Sequence, residues 1–314
     1  MAAAPVAQDP SSTVPEDQAE LARITYRYLR WLMIVLPLVL FAVTVLTAVQ
    51  QGRLESSISA YYGGPVRDVF VGVMIATAAC LVAYQGASLL EDYTLNGAGF
   101  YAVFVALVPS SLGEILATLR TTRTPDGFTA TDYVWFLRFA LSVVLILCAV
   151  LLVVELRTHR ATRLWQSHGL NRLFVLVSGV ALAAFLGLAM AQLWGPAPED
   201  VTMDGLALPL LNRQLRIHDL AAILLIASLM VAVWSHAFPE TVAERERVAE
   251  PAPTDRQLSG RYGGIFYLML AGPVVVIAIN AVVGHYVIFL EWWEILAFCL
   301  FWMLETRRVS RLTA

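Results

Sequence analysis

Apolar residues gather along this chain in long runs. Eight runs have the length of a membrane-crossing helix, which needs about 20 apolar residues: Trp31–Val49, Val69–Leu90, Gly97–Leu119, Tyr133–Leu156, Leu173–Trp194, Ile217–Phe238, Tyr262–Val283 and Tyr286–Glu305. Two are interrupted by polar positions. The third contains Pro109, Ser110, Ser111 and Glu114, and the eighth contains Glu291 and Glu294. Only Gly284 and His285 separate the seventh run from the eighth, which predicts a tight helical hairpin. The pattern as a whole predicts an all-α fold, a polytopic transmembrane helix bundle of about eight spans.

The polar segments divide the chain further. Residues 1–20 read as a disordered cytoplasmic tail, rich in Ala, Pro, Ser and acidic residues. Residues 21–314 read as a single transmembrane domain, entered through the amphipathic stretch 21–30 and carrying a flexible cytoplasmic loop at 239–260. The start of the chain has no basic segment followed by a short apolar core, so the first run is expected to act as an uncleaved anchor.

Arginine orients the bundle. Fourteen arginines flank the side that holds both termini, against six on the other side. The positive-inside rule then places both termini in the cytoplasm, and an even number of spans agrees. The expected location is the bacterial cytoplasmic (plasma) membrane, as a multi-pass protein whose partner is the lipid bilayer. Composition supports this, with 59% apolar and 14% charged residues, against about 25% charged in a typical soluble domain. Every basic residue other than histidine is Arg, which fits a GC-rich coding bias. A net charge of −3 gives no case for nucleic acid. Cys80, Cys148 and Cys299 each fall inside an apolar run and read as packing residues.

Ionisable residues inside a bilayer are costly, so their positions carry information. The deeper ones concentrate in the outer half. Glu114 lies just inside the outer end of the third span and Arg138 a similar distance into the fourth. His218 and Asp219 open the sixth, His285 sits at the outer turn, and Glu291 and Glu294 follow in the eighth. The outer loop before the second span adds Ser59, Tyr61, Arg67 and Asp68. Glu291 and Glu294 share one helix face, and Arg138 is expected to pair with one of them or with Glu114. By contrast, Glu91, Asp92, Glu155, His236 and Glu305 fall at inner ends, where water is expected close by. His236 in particular reads as an interfacial residue.

His218, His285 and Asp219 are the candidate ligands for a metal such as zinc, although no paired-histidine or clustered Cys/His motif is present. No other cofactor is evident. The chain has no P-loop, dinucleotide-binding glycine motif or G-x-S-x-G elbow.

The stretches SISAYYGGPVRDVFVG, LVAYQG and EDYTLNGAGF, between Ser57 and Pro109, resemble uncharacterised multi-pass membrane proteins of GC-rich bacteria, a resemblance that implies no activity. A looser similarity is to membrane hydrolases of the ceramidase and adiponectin-receptor type. It would cast Ser59, Asp68, His218 and His285 around a zinc ion, in a chain that lacks that class's paired-histidine motif. Three functions are therefore carried forward. The first is binding or transport of a small polar or lipid-headgroup ligand at the outer-half residues. The second is metal-assisted intramembrane hydrolysis of a lipid. The third is a structural or assembly subunit whose polar residues hold helices together.

Overall fold

The computed structural model describes residues 16–63, 65–122, 126–157, 169–208, 213–246, 253–283 and 287–312. The chain folds as an all-α bundle. Its helices are α1 (Glu16–Gln51), α2 (Pro65–Ala83), α3 (Leu89–Leu107), α4 (Leu112–Thr121), α5 (Ala130–Arg157), α6 (Gly169–Trp194), α7 (Ile217–Ala237), α8 (Pro239–Glu246), α9 (Pro253–Val283) and α10 (Ile288–Leu312). A 3-10 turn spans Ile58–Gly63, and an antiparallel hairpin pairs β1 (Leu206–Leu208) with β2 (Arg213–Leu215).

Among the described residues, six helical segments are long and apolar enough to cross a membrane: Glu20–Gln51, Val66–Ala83, Leu89–Thr121, Ala130–Leu151, Leu176–Trp194 and Ile217–Ala237. α10 falls outside this set because its apolar stretch carries Glu291, Glu294 and Glu305 within 15 positions. Three boundaries differ from the sequence reading. The second span ends at Ala83, because Gln85-Gly86 and the Ser88 cap break the helix before α3. α1 takes in Glu16–Glu20. The loop at 239–260 contains α8 and the first turns of α9.

The third apolar run is one helix broken in the middle. Pro109 is the cause: its ring disfavours the helical conformation for the preceding residue, and Val108 is extended at φ −98 and ψ 105. The chain resumes as α4 after Ser111.

α3 sits at the centre, packed on α2 and α7, with α1, α9 and α10 completing the ring. Gly99 permits the closest approach, since a Cβ there would come 2.9 Å from the Ala78 carbonyl oxygen and 2.8 Å from Val82 Cγ2. Two hydrophobic cores follow the bundle axis. One surrounds Phe104, Leu141, Phe185, Leu193 and Ile217 near the outer loops; the other surrounds Met33, Leu81, Leu95, Phe301 and Trp302 near the opposite end. α5 and α6 lie at the periphery, and Phe136, Phe139, Ile146, Leu176 and Val180 are exposed along them. Apolar surface this extensive belongs in lipid rather than water.

Candidate functional site

The break between α3 and α4 opens a cleft of about 200 Å³ at the end of the bundle that carries the β1–β2 hairpin, the end expected to face outward. Val108–Ser111 form its floor, with Glu114 of α4, Thr202, Met203 and Asp204 of the loop before the hairpin, and Arg216 and His218 at the start of α7. The broken helix leaves backbone groups that need partners, and side chains from other elements supply them. His218 Nδ1 lies 2.7 Å from the Val108 carbonyl oxygen. The Arg216 guanidinium donates to the Ser110 carbonyl. Ser59 donates to Ser110 Oγ at 2.9 Å and contacts Ser57 Oγ at 3.0 Å. Glu291 accepts from the Ile58 backbone N–H, and Ile288 N–H donates to the Ser56 carbonyl at 2.9 Å, so the start of α10 is tied to the same serine turn.

The loop that roofs the cleft is held from behind. Gln192 brackets Gly205 with two hydrogen bonds, donating to its carbonyl at 2.7 Å and accepting from its N–H at 2.8 Å. Gly205 has φ +74, and a Cβ there would collide with the Leu215 carbonyl oxygen, so only glycine fits. Arg138 completes the support. It donates to the carbonyls of Leu193 at 2.9 Å and Pro196 at 2.8 Å, between the rings of Trp135 and Trp194.

Arg138 therefore does not pair with Glu114, Glu291 or Glu294. The end of α6 leaves carbonyls with partial negative charge, and two indole faces add a cation–π environment. Together these take the guanidinium at its own end of the fold.

The other outer residues divide. Ser59, His218 and Glu291 converge around the helix break, and Glu114 is an exposed wall of the cleft. Asp219 caps α7, accepting from Arg216 N–H at 3.3 Å. Tyr61 Oη accepts from Glu55 N–H, and Arg67 and Asp68 are exposed in the first turn of α2. Glu294 is buried apart from the cleft, against α9. His285 lies outside the described residues, as does the Glu155 side chain. Among the described residues no three His, Cys, Asp or Glu side chains gather as metal ligands. Ser59, Asp68 and His218 share no hydrogen bond; Ser59 is engaged by serines and His218 by a backbone carbonyl.

A second polar constellation lies at the opposite end of the bundle, expected to be the inner one, where the sequence predicts water close by. Glu91 and Glu305 are fully buried and His236 is 8% exposed. His236 Nε2 lies 2.9 Å from Glu91 Oε1, and its Nδ1 lies 3.9 Å from Glu305 Oε2. Arg308 donates from two nitrogens to Glu305, at 2.9 and 2.7 Å, and from a third to Asp255 at 2.8 Å. Tyr262 and Tyr84 donate to Glu305 at 2.8 and 3.2 Å.

Local structure aims these groups. Ser88 caps α3 by accepting from Glu91 N–H, and the Glu91 carboxylate also accepts from Ala87 N–H at 2.6 Å. Burial opposes the Arg308 charge, but the carboxylates of Glu305 and Asp255 outweigh it and push its pKa further up. Burial, then the charges of Glu305 and Glu91, pushes the Tyr84 phenol up, so it stays a donor.

The inner network joins the α2–α3 turn, α7, α9 and α10, and Arg30 of α1 is buried at the same end. Three carboxylates, Glu91, Glu305 and Asp255, thus gather with two guanidinium groups and the His236 ring. Closed on every side by protein, it acts as a lock between helices. Water is expected there from the sequence, but side chains at the ends of four helices, α3, α7, α9 and α10, meet and bury one another instead. The Glu305–Arg308 spacing of three, which places both on one helix face, was the signal that could have found it.

Comparison with known protein families, curated proteins and solved structures finds no match for this chain.

Proposed function

We propose that this is a multi-pass protein of a bacterial cytoplasmic membrane, with eight crossing helices and both termini in the cytoplasm, that binds a small polar solute in its outer cleft as the first step of transport. In this reading α9 and α10 join the six apolar segments as crossing helices. α9 has no Asp, Glu, Lys or Arg beyond Arg261, and α10 turns its acids inward. The carrying observation is the helix broken at Val108–Ser111 inside an otherwise helical bundle. Non-helical backbone at membrane depth is tolerated where it lines a cavity, and broken helices supply the binding groups of many transporters. The opposite end is sealed by the inner network, so the arrangement is one of outward access.

The cleft also limits the solute. An engineered cavity of about 150 Å³ holds benzene, so about 200 Å³ suits a molecule of similar or slightly larger size and excludes a whole lipid. Both charge signs line it, Arg216 against Glu114 and Asp204, which favours a zwitterionic or neutral polar solute over a simple ion.

A thermal-stability screen of the purified protein tests this reading, using glycine, betaine and glycerol against phosphate and acetate. A bound solute stabilises the folded state by mass action. One of the first three is expected to raise the melting temperature of the wild type, with the shift lost in Arg216→Ala. A shift of the same size in that variant, or no shift with any solute, would contradict the assignment.

A further inference from the structure

Glu294 stands apart from the other acids among the described residues. It is 6% exposed, and neither carboxylate oxygen has a hydrogen-bond partner. It lodges against Gly272 of α9, where a Cβ would come 2.9 Å from Glu294 Oε1, and Pro273 follows in the same helix. The neighbouring Trp293 donates to the Leu268 carbonyl at 2.8 Å, fixing α10 against this stretch of α9.

The packed elements offer no counter-charge. α1 has no charged residue between Arg30 and Arg53, and α9 has none beyond Arg261. On α10 the titratable groups are Glu291, one turn outward and held by the Ile58 N–H, the Cys299 thiol, directed at the Ile34 carbonyl, and Glu305, three turns inward and held by Arg308. α7 brings His218 and Asp219 at its outer end and His236 at its inner end, each engaged as described above. Burying an ionised carboxylate with no partner at such a depth is strongly unfavourable, so in this conformation the group holds its proton.

We propose that Glu294 is an intramembrane proton-binding site, gaining and losing one H⁺ as α9 flexes at Gly272–Pro273 against α10. The site depends on α10 crossing the membrane and not on which solute fills the outer cleft. Glycine at 272 leaves the room for the acid, and the proline beside it removes one helix hydrogen bond and so supplies the hinge.

A hydrophobic carbodiimide, dicyclohexylcarbodiimide, is the probe. It reacts only with the protonated acid: the O–H adds across one C=N bond, the proton going to nitrogen and the carboxyl oxygen to the central carbon. The O-acylisourea so formed rearranges to a stable N-acylurea, with no leaving group. The purified protein in lipid nanodiscs is treated over a range of pH and mapped by peptide mass spectrometry. An adduct on Glu294 is expected near neutral pH, falling at least tenfold at alkaline pH and recovering when the pH is returned. E294Q should abolish it, and E294D, which keeps an acid at the position, should retain it. G272A, which crowds the acid, should reduce it. A water-soluble carbodiimide should leave Glu294 unlabelled; labelling by that reagent would mean that the acid lies in water and that α10 does not cross. No adduct, or one whose yield ignores pH, overturns the proton site while leaving the crossing helix intact.

Discussion

Arg308 occupies the position in this molecule where one side chain satisfies the most buried charge. It serves Glu305 and Asp255 together; besides it, Glu305 is held by two tyrosine hydroxyls and faced by the His236 ring. Arg308→Leu should therefore destabilise the protein by about 3–5 kcal/mol, the range for removing one partner of a buried pair, read as a large drop in melting temperature in detergent. The exposed Arg256–Glu240 pair is the control, and Arg256→Leu should cost no more than about 1 kcal/mol. Arg138 makes a different test. Lys has no planar fork to reach two carbonyls while lying between two indoles, so Arg138→Lys should lower thermal stability nearly as much as Arg138→Leu. Retention of wild-type stability by the lysine variant would show that charge alone suffices there. Individual side chains were only partly legible beforehand. Residue identity and depth singled out Arg138, His218 and Glu291 as costly and therefore engaged. They could not say that backbone carbonyls and amides, which carry no sequence signature, would be the partners.

At the scale of the element, apolar run length was the strongest signal, because a backbone in lipid must close its hydrogen bonds within a helix. Pro109 marked the interruption of the third span through its effect on Val108. The signal failed where two helices meet in a short turn, and the second span was drawn through Ser88 to Leu90 although α3 begins at Leu89. α2–α3 packing depends on Gly99, and Gly99→Val should disrupt it. The cost expected is at least about 1–3 kcal/mol, the usual penalty of overpacking a tight contact, measured by thermal unfolding. At the roof of the cleft, Gly205→Ala should weaken the hairpin and abolish any solute-induced thermal shift, because positive φ and the Leu215 carbonyl both exclude a side chain. An unchanged shift in Gly205→Ala would show that the roof does not shape the cleft.

For the whole molecule, the two polar constellations define opposite ends of one axis: an open cleft beneath Arg216 and His218, and a closed lock around Glu305. In the proposed orientation those ends face the outside and the cytoplasm. What the chain pattern could not reveal was that the inner acids meet, since convergence of α3, α7, α9 and α10 is a property of packing and not of any one helix. Accessibility of single cysteines measures the assignment most directly. In a background with Cys80, Cys148 and Cys299 replaced by Ala, Ser110→Cys reports the cleft, and Ser259→Cys, half-buried in the early part of α9, reports the other side. A membrane-impermeant maleimide added to intact cells should label Cys at 110 and reach Cys at 259 only after permeabilisation. Labelling of both from the outside, or of 259 alone, would contradict the outward-open bundle.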